Sequence, residues 1–304
     1  MKRSIFALIS LFLLSAVGAH AQSQADFPYP TLPYYISDEG GAAAEWMTLH
    51  FWDKYDFAAC ETKYGKEVNE QGFFDFLNAL YTTTPEHSFV AIGVMMNGAA
   101  VSEDGYWYFL EMAEEMLYDP SSPIRNDLLW EQFVRHAVGE RSPLDEASKS
   151  RYHTLLALVT RNQQGSIATD FTYTLANGTQ GRLHKISAPF TMIWFYNPGC
   201  GECARTKAQI EATGYLDLLH SVGALEVLAL YPDGEVDKWR EALPENPEWW
   251  ISAYDKERVI QRKGLYDLKA IPTIYLLDAQ KRVILKDPGV EGLLEVLEII
   301  IYGN

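Results

Sequence analysis

Cys200 and Cys203 lie three apart in the stretch "NPGCGEC" (197–203), directly after the apolar run "FTMIWFY" (190–196). A C-x-x-C pair can hold half of a metal site, close a structural bridge, or exchange disulfides. A zinc site of this kind needs a second pair of ligands. The one remaining cysteine is Cys60, and the seven histidines form no H-x-x-H or H-x3-5-H pair. A passive bridge closing so small a loop constrains the unfolded chain weakly, because that effect grows with loop length. Exchange chemistry suits the spacing best. A thiolate is the reactive form of cysteine, and its ordinary pKa is about 8.5. A helix N-terminus presents unpaired N–H groups and roughly half a positive charge. At the start of a helix Cys200 is the candidate nucleophile. Cys203, one turn on, can close upon it as the resolving thiol. Between them, Glu202 places a like charge against the thiolate and is expected to modulate its pKa.

These residues need a strand before them and a helix after them, and the patterning supplies both. Beyond "RNQQG" the period is that of an α/β domain. Phe171, Tyr173 and Leu175 alternate up to Asn177-Gly178, a hairpin signal. The runs at 190–196 and 224–231 are continuously apolar, as buried strands are. Strands are also expected at 271–278 and 282–287, with helical patterns at 200–221, 235–243, 255–263 and in the C-terminal "VEGLLEVLEIII". Strands alternating with helices predict a sheet flanked by helices over 165–304.

Residues 42–164 read as all-α, a bundle of five or six helices. Tyr106, Phe109, Ala113 and Met116 fall at helical spacing; so do Leu129, Phe133 and Ala137, with Asn126 or Asp127 as a cap. "DPSSP" (119–123) and "GERSP" (139–143) break the helices. Residues 22–41 carry three prolines and read as an extended lead-in. Cys60 reads as a buried free thiol, with a mixed-disulfide role as its alternative. Trp239, Trp249 and Trp250 are expected in the core or at a domain interface rather than lining a groove.

The first 21 residues have the form of a secretory signal peptide. Lys2 and Arg3 precede a fifteen-residue apolar run, and "AHA" places small residues for cleavage after Ala21. A periplasmic or secreted chain with no membrane span is expected after cleavage. The net charge is −16, and removal of Lys2 and Arg3 takes it to −18. So acidic a chain argues against nucleic acid or an anionic membrane as partner. Three cysteines are too few for a disulfide scaffold.

The pieces "MIWFYNPGCGEC", "YDLKAIPTIYLLD" and "KRVILKD" resemble the thioredoxin superfamily, and within it the secreted bacterial thiol–disulfide oxidoreductases of the TlpA/ResA type. The resemblance covers about 165–304 and implies a thioredoxin-like fold with a central mixed sheet. It implies that Pro272, after Ile271, is a cis-proline beside the cysteines, where the two position substrate. It implies exchange of a Cys200–Cys203 disulfide with protein thiols or disulfides and a redox partner protein, with no cofactor and no metal. "HFWDKYDF" and "YDPSSPIRNDLLWEQF" resemble a domain of unknown function found ahead of such domains, which brings no activity with it. The sequence departs from the family in three places, one of them Glu202, which stands at the third position of the C-x-x-C where thioredoxin itself has proline. Gly199 stands where tryptophan often precedes the first cysteine. Trp194 stands where thioredoxin has a buried acid, so that proton relay is missing. The alternative from another class is a non-catalytic binding or scaffold protein that uses a thioredoxin fold as a platform.

Overall fold

The structure is a computed structural model and describes residues 25–37 and 39–303. The leader and its expected cleavage after Ala21 lie outside the described residues. The chain falls into two compact units, divided between Thr82 and Thr83.

The smaller unit contains α1 (Ala42–Leu49) and α2 (Lys66–Leu80), joined through a five-residue π turn at Cys60–Tyr64. The lead-in has almost no regular structure, yet it is anchored. Phe27 is buried against Phe51, Trp52 and Tyr55, with ring centroids 5.3–5.5 Å apart. Gly72 of α2 is required by this contact. A Cβ there would sit 2.1 Å from the Phe27 ring. Cys60 is a buried free thiol in this unit, its backbone carbonyl accepting from Asn69 Nδ2 at 2.9 Å.

The larger unit begins with four helices: α3 (Pro85–Ala99), α4 (Glu103–Leu117), α5 (Asp127–Ala137) and α6 (Glu146–Val159). Each starts where a side chain satisfies the orphan N–H groups of the first turn. Thr84, Ser102, Asn126 and Asp145 are the caps. Asn126 Oδ1 accepts from the backbone of both Leu128 and Leu129 at 3.0 Å.

The rest of the unit is a seven-stranded mixed sheet. Its strands are β1 (Thr172–Leu175), β2 (Gln180–Arg182), β3 (Phe190–Phe195), β4 (Leu225–Tyr231), β5 (Ile251–Tyr254), β6 (Thr273–Leu277) and β7 (Val283–Lys286). They lie in the order β2-β1-β5-β4-β3-β6-β7. β3, β4 and β5 run parallel, and the remaining pairings are antiparallel. The continuous apolar runs have a direct cause: both faces of the sheet are covered. Met192 and Trp194 of β3 point into one core with Val227 and Ala229 of β4 and with helices α7 (Gly201–Glu211), α8 (Tyr215–Ser221) and α11 (Gly289–Tyr302). Ile193 and Phe195 point into the other with Leu228, Leu230 and Ile260 of α10 (Val259–Arg262). Helix α9 (Val236–Ala242) adds Trp239 to the first core.

Two elements differ from the sequence reading. The helical pattern at 200–221 is two helices, broken at Gly214, whose φ of 69° favours glycine. β5 is a strand that the sequence reading does not contain; its four residues are too few to set a period. No helix among the described residues is long and apolar enough to cross a membrane.

Candidate active site

β3 is an interior strand of the sheet, parallel to β4 on one side and antiparallel to β6 on the other, and the chain leaves its end as Tyr196-Asn197-Pro198-Gly199-Cys200. Gly199 has φ 74°, in the left-handed region, so the turn itself asks for glycine where relatives of this fold often carry tryptophan. Cys200 then caps α7. Its Sγ accepts from the backbone N–H of Cys203 at 3.2 Å, the contact that holds a sulfur anion at a helix N-terminus. Across the gap, the Ile271–Pro272 peptide bond is cis, and the Cys200 thiol donates to the Ile271 carbonyl at 3.7 Å. Four of the sequence-selected residues therefore meet at one point: Cys200, Cys203, Ile271 and Pro272.

The two thiols differ in environment. Cys200 is partly exposed, whereas Cys203 is 6% exposed and belongs to the core that contains Trp194. Burial pushes the Cys203 thiol up to about 12, and its contact with Cys200 pushes in the same direction. All three cysteines are free thiols. The Glu202 carboxylate is turned to Arg205, its i+3 neighbour, and both side chains are more than half exposed. Its charge therefore has a cationic partner on the helix surface.

Of the three tryptophans, Trp239 and Trp250 are buried in the core. Trp249 lies at the edge, stacked on His220 with its Nε1 donating to Asp217 at 2.9 Å. Among the described residues no three His, Cys, Asp or Glu side chains are grouped to hold a metal ion.

Sequence reasoning missed what holds the cis-proline loop. Asp127, the first residue of α5, pairs with Lys269 and, at 3.0 Å, with Lys286. Burial works to raise the Asp127 carboxyl, but the two ammonium groups outweigh it and hold it below the usual range. Tyr118 donates to both oxygens of Asp267 at 3.1 and 3.2 Å. Arg125 meets Asp287 at 3.0 Å. Arg161 and Asn162, after α6, donate to the carbonyls of Gly264 and Leu265. Charged residues on an isolated helix surface carry no local signal for such partners.

A dithiol at the N-terminus of a helix that follows a buried interior strand, facing a cis-proline loop, defines the thioredoxin class of site. The comparisons bear on the family and the fold. A family model described as a domain of unknown function, DUF5106, matches residues 14–162. Among solved structures, a thioredoxin-like protein from Bacteroides caccae is 35% identical, with 90% of this chain and 98% of that chain covered, at a TM-score of 0.83. The chain belongs to this thioredoxin-like family, with a helical DUF5106 domain preceding the thioredoxin-like domain. The C-terminal domain of an uncharacterized protein from Bacteroides fragilis is 40% identical over 45% of this chain and 98% of that one, at a TM-score of 0.44. A domain of a possible thiol-disulfide isomerase from Cytophaga hutchinsonii is 23% identical over 47% of this chain and 97% of its own, at 0.41. No curated protein matches the chain.

Proposed function

We propose that this protein is a periplasmic or secreted thiol–disulfide oxidoreductase that exchanges a Cys200–Cys203 disulfide with protein thiols. The observation that carries the reading is the position of Cys200 Sγ, between the Cys203 N–H at 3.2 Å and the Ile271 carbonyl at 3.7 Å. The basic start, apolar run and small residues of the N-terminal sequence support export.

In the reducing direction the Cys200 thiolate attacks one sulfur of a substrate disulfide. The substrate S–S bond breaks, a mixed disulfide forms, and the other substrate sulfur leaves as thiolate. Cys203 then attacks the Cys200 sulfur, which forms the Cys200–Cys203 bond and releases the second substrate thiolate. The Cys203 proton goes to a departing thiolate. Two electrons have passed from the pair to the substrate, and the reverse sequence oxidises a substrate dithiol. Trp194 offers no carboxylate to take that proton, so the leaving thiolate is itself the base. The high Cys203 value suits this order, because a protonated resolving thiol does not compete for the first attack. Glu202, paired with Arg205, acts on the thiolate only as a screened charge.

Equilibration of the pair with glutathione tests the reading. An exchanging pair has a reduction potential within the range of glutathione-coupled dithiols, roughly −120 to −270 mV. A value well below about −300 mV is that of an inert bridge. It would favour a binding platform instead.

A further inference from the structure

A cleft of about 940 Å³ opens beside the cis-proline. One wall is Ile271, Pro272, Leu285 and Val290 of the thioredoxin-like part; the other is the segment Pro120–Leu128 of the helical part, the α4–α5 connection and the first two residues of α5. Glu202 of the dithiol helix stands at its edge.

The wall chemistry is selective. Six charged side chains line the cleft, and every one has an opposite partner: Arg125 with Asp287, Asp127 with Lys269 and Lys286, Glu202 with Arg205. A charged substrate side chain entering here would lose water without meeting a spare counter-charge. An uncharged side chain would meet apolar surface. Leu128 is one such surface. It is 59% exposed although it is a large aliphatic residue on the cleft wall.

We propose that the segment Pro120–Leu128 of the helical domain is a specificity wall, and that the cleft it forms with the cis-proline loop seats an extended, uncharged polypeptide segment flanking the substrate's reactive cysteine. The inference rests on the oxidoreductase reading above. On this reading the helical domain selects which protein disulfides reach Cys200. A segment attached through its cysteine to Cys200 passes Ile271 and Pro272, and its next residues enter the cleft.

The test uses the full exported chain and three short peptides, each with its cysteine blocked as the pyridyl disulfide and flanked by leucine and alanine, by lysine, or by glutamate. Cys200 of the reduced protein attacks the peptide sulfur and pyridinethione leaves; Cys203 then closes on Cys200 and releases the peptide thiol, so the pyridinethione absorbance of this single turnover gives a second-order rate constant. Free dipyridyl disulfide, which has no flanks, reports the dithiol itself. The leucine–alanine peptide is expected to react about tenfold faster than either charged one. Leu128→Glu should lower that rate about tenfold relative to dipyridyl disulfide and raise the rate of the lysine-flanked peptide, a gain that misfolding does not mimic. If dipyridyl disulfide reacts but the peptides react alike in both proteins, the cleft selects nothing and the inference falls while the function stands. If dipyridyl disulfide does not react either, the oxidoreductase reading fails and takes the inference with it.

Discussion

At the residue scale the asymmetry of the two thiols is the main feature. Cys200 is within reach of solvent, and Cys203 is buried one turn into α7. A thiol whose folded pKa is raised favours the neutral form, so its contribution to stability is complete below the unfolded value and is lost as pH rises towards about 12. In Cys200→Ser, the Cys203 thiolate absorbance is expected to stay low through pH 9 and to rise only in strong alkali. A midpoint near the ordinary value of about 8.5 would mean that the sulfur is not buried. Cys60 is also buried and its thiol raised by that burial. A protonated thiol of this kind is a packing residue before it is a reactant.

At the element scale the strand-turn-helix that carries the cysteines was legible because every part of it is local. An apolar run marks β3 and the C-x-x-C pair marks the start of α7, whereas the positive φ of Gly199 and the capping by Cys200 Sγ appear only in the structure. The Asn177-Gly178 hairpin and the Asn126 cap were legible for the same reason. What was illegible is non-local. β5 depends on β4 and β1 beside it rather than on its own four residues. The Asp127–Lys269–Lys286 cluster joins residues 142 or more positions apart. Lys269 and Lys286 side chains are only 5% and 7% exposed, so removing their shared carboxylate leaves two buried cations without it. Breaking buried pairs of this kind costs about 3–5 kcal/mol. Asp127→Ala should therefore lose about 3 kcal/mol in urea unfolding, and a loss under about 1 kcal/mol would show the cluster to be wet and weak.

At the scale of the molecule these contacts make the thioredoxin-like part and helices α3–α6 one unit. Its stability should follow the cluster through pH. The Asp267 and Asp287 carboxyls are both raised, first by burial. Their ionised forms therefore cost stability above the raised values, and that cost is relieved as pH falls through them. Asp127 has the opposite sign. Its lowered value gives stability that is present above the unfolded carboxylate pKa of about 3.9 and is lost below it. The melting temperature is expected to rise on mild acidification and then to fall below about pH 4. Asp267→Asn should flatten the rise, and an unchanged profile would remove Asp267 from the account. A fragment of residues 165–304 is expected to fold, since it holds the whole sheet and both of its cores. It should melt below the full chain because Asp127 and Tyr118 are gone. An unfolded circular dichroism spectrum would place the folding unit beyond residue 165.

The central claim is the order of attack, and trapping measures it directly. Cys203→Ser removes the resolving thiol and leaves Cys200 able to attack, so the reaction should stop at the mixed disulfide. Expressed as the full chain, this variant is expected to run on non-reducing gels as a ladder of adducts that collapses on reduction. Mass spectrometry should place each link at Cys200. Cys200→Ser, with only the buried thiol left, should give few adducts. If Cys200→Ser traps as much as Cys203→Ser, the roles of the two cysteines are wrong. If neither traps anything and the wild-type protein turns over no disulfide, the pair does not cycle and the oxidoreductase account is contradicted.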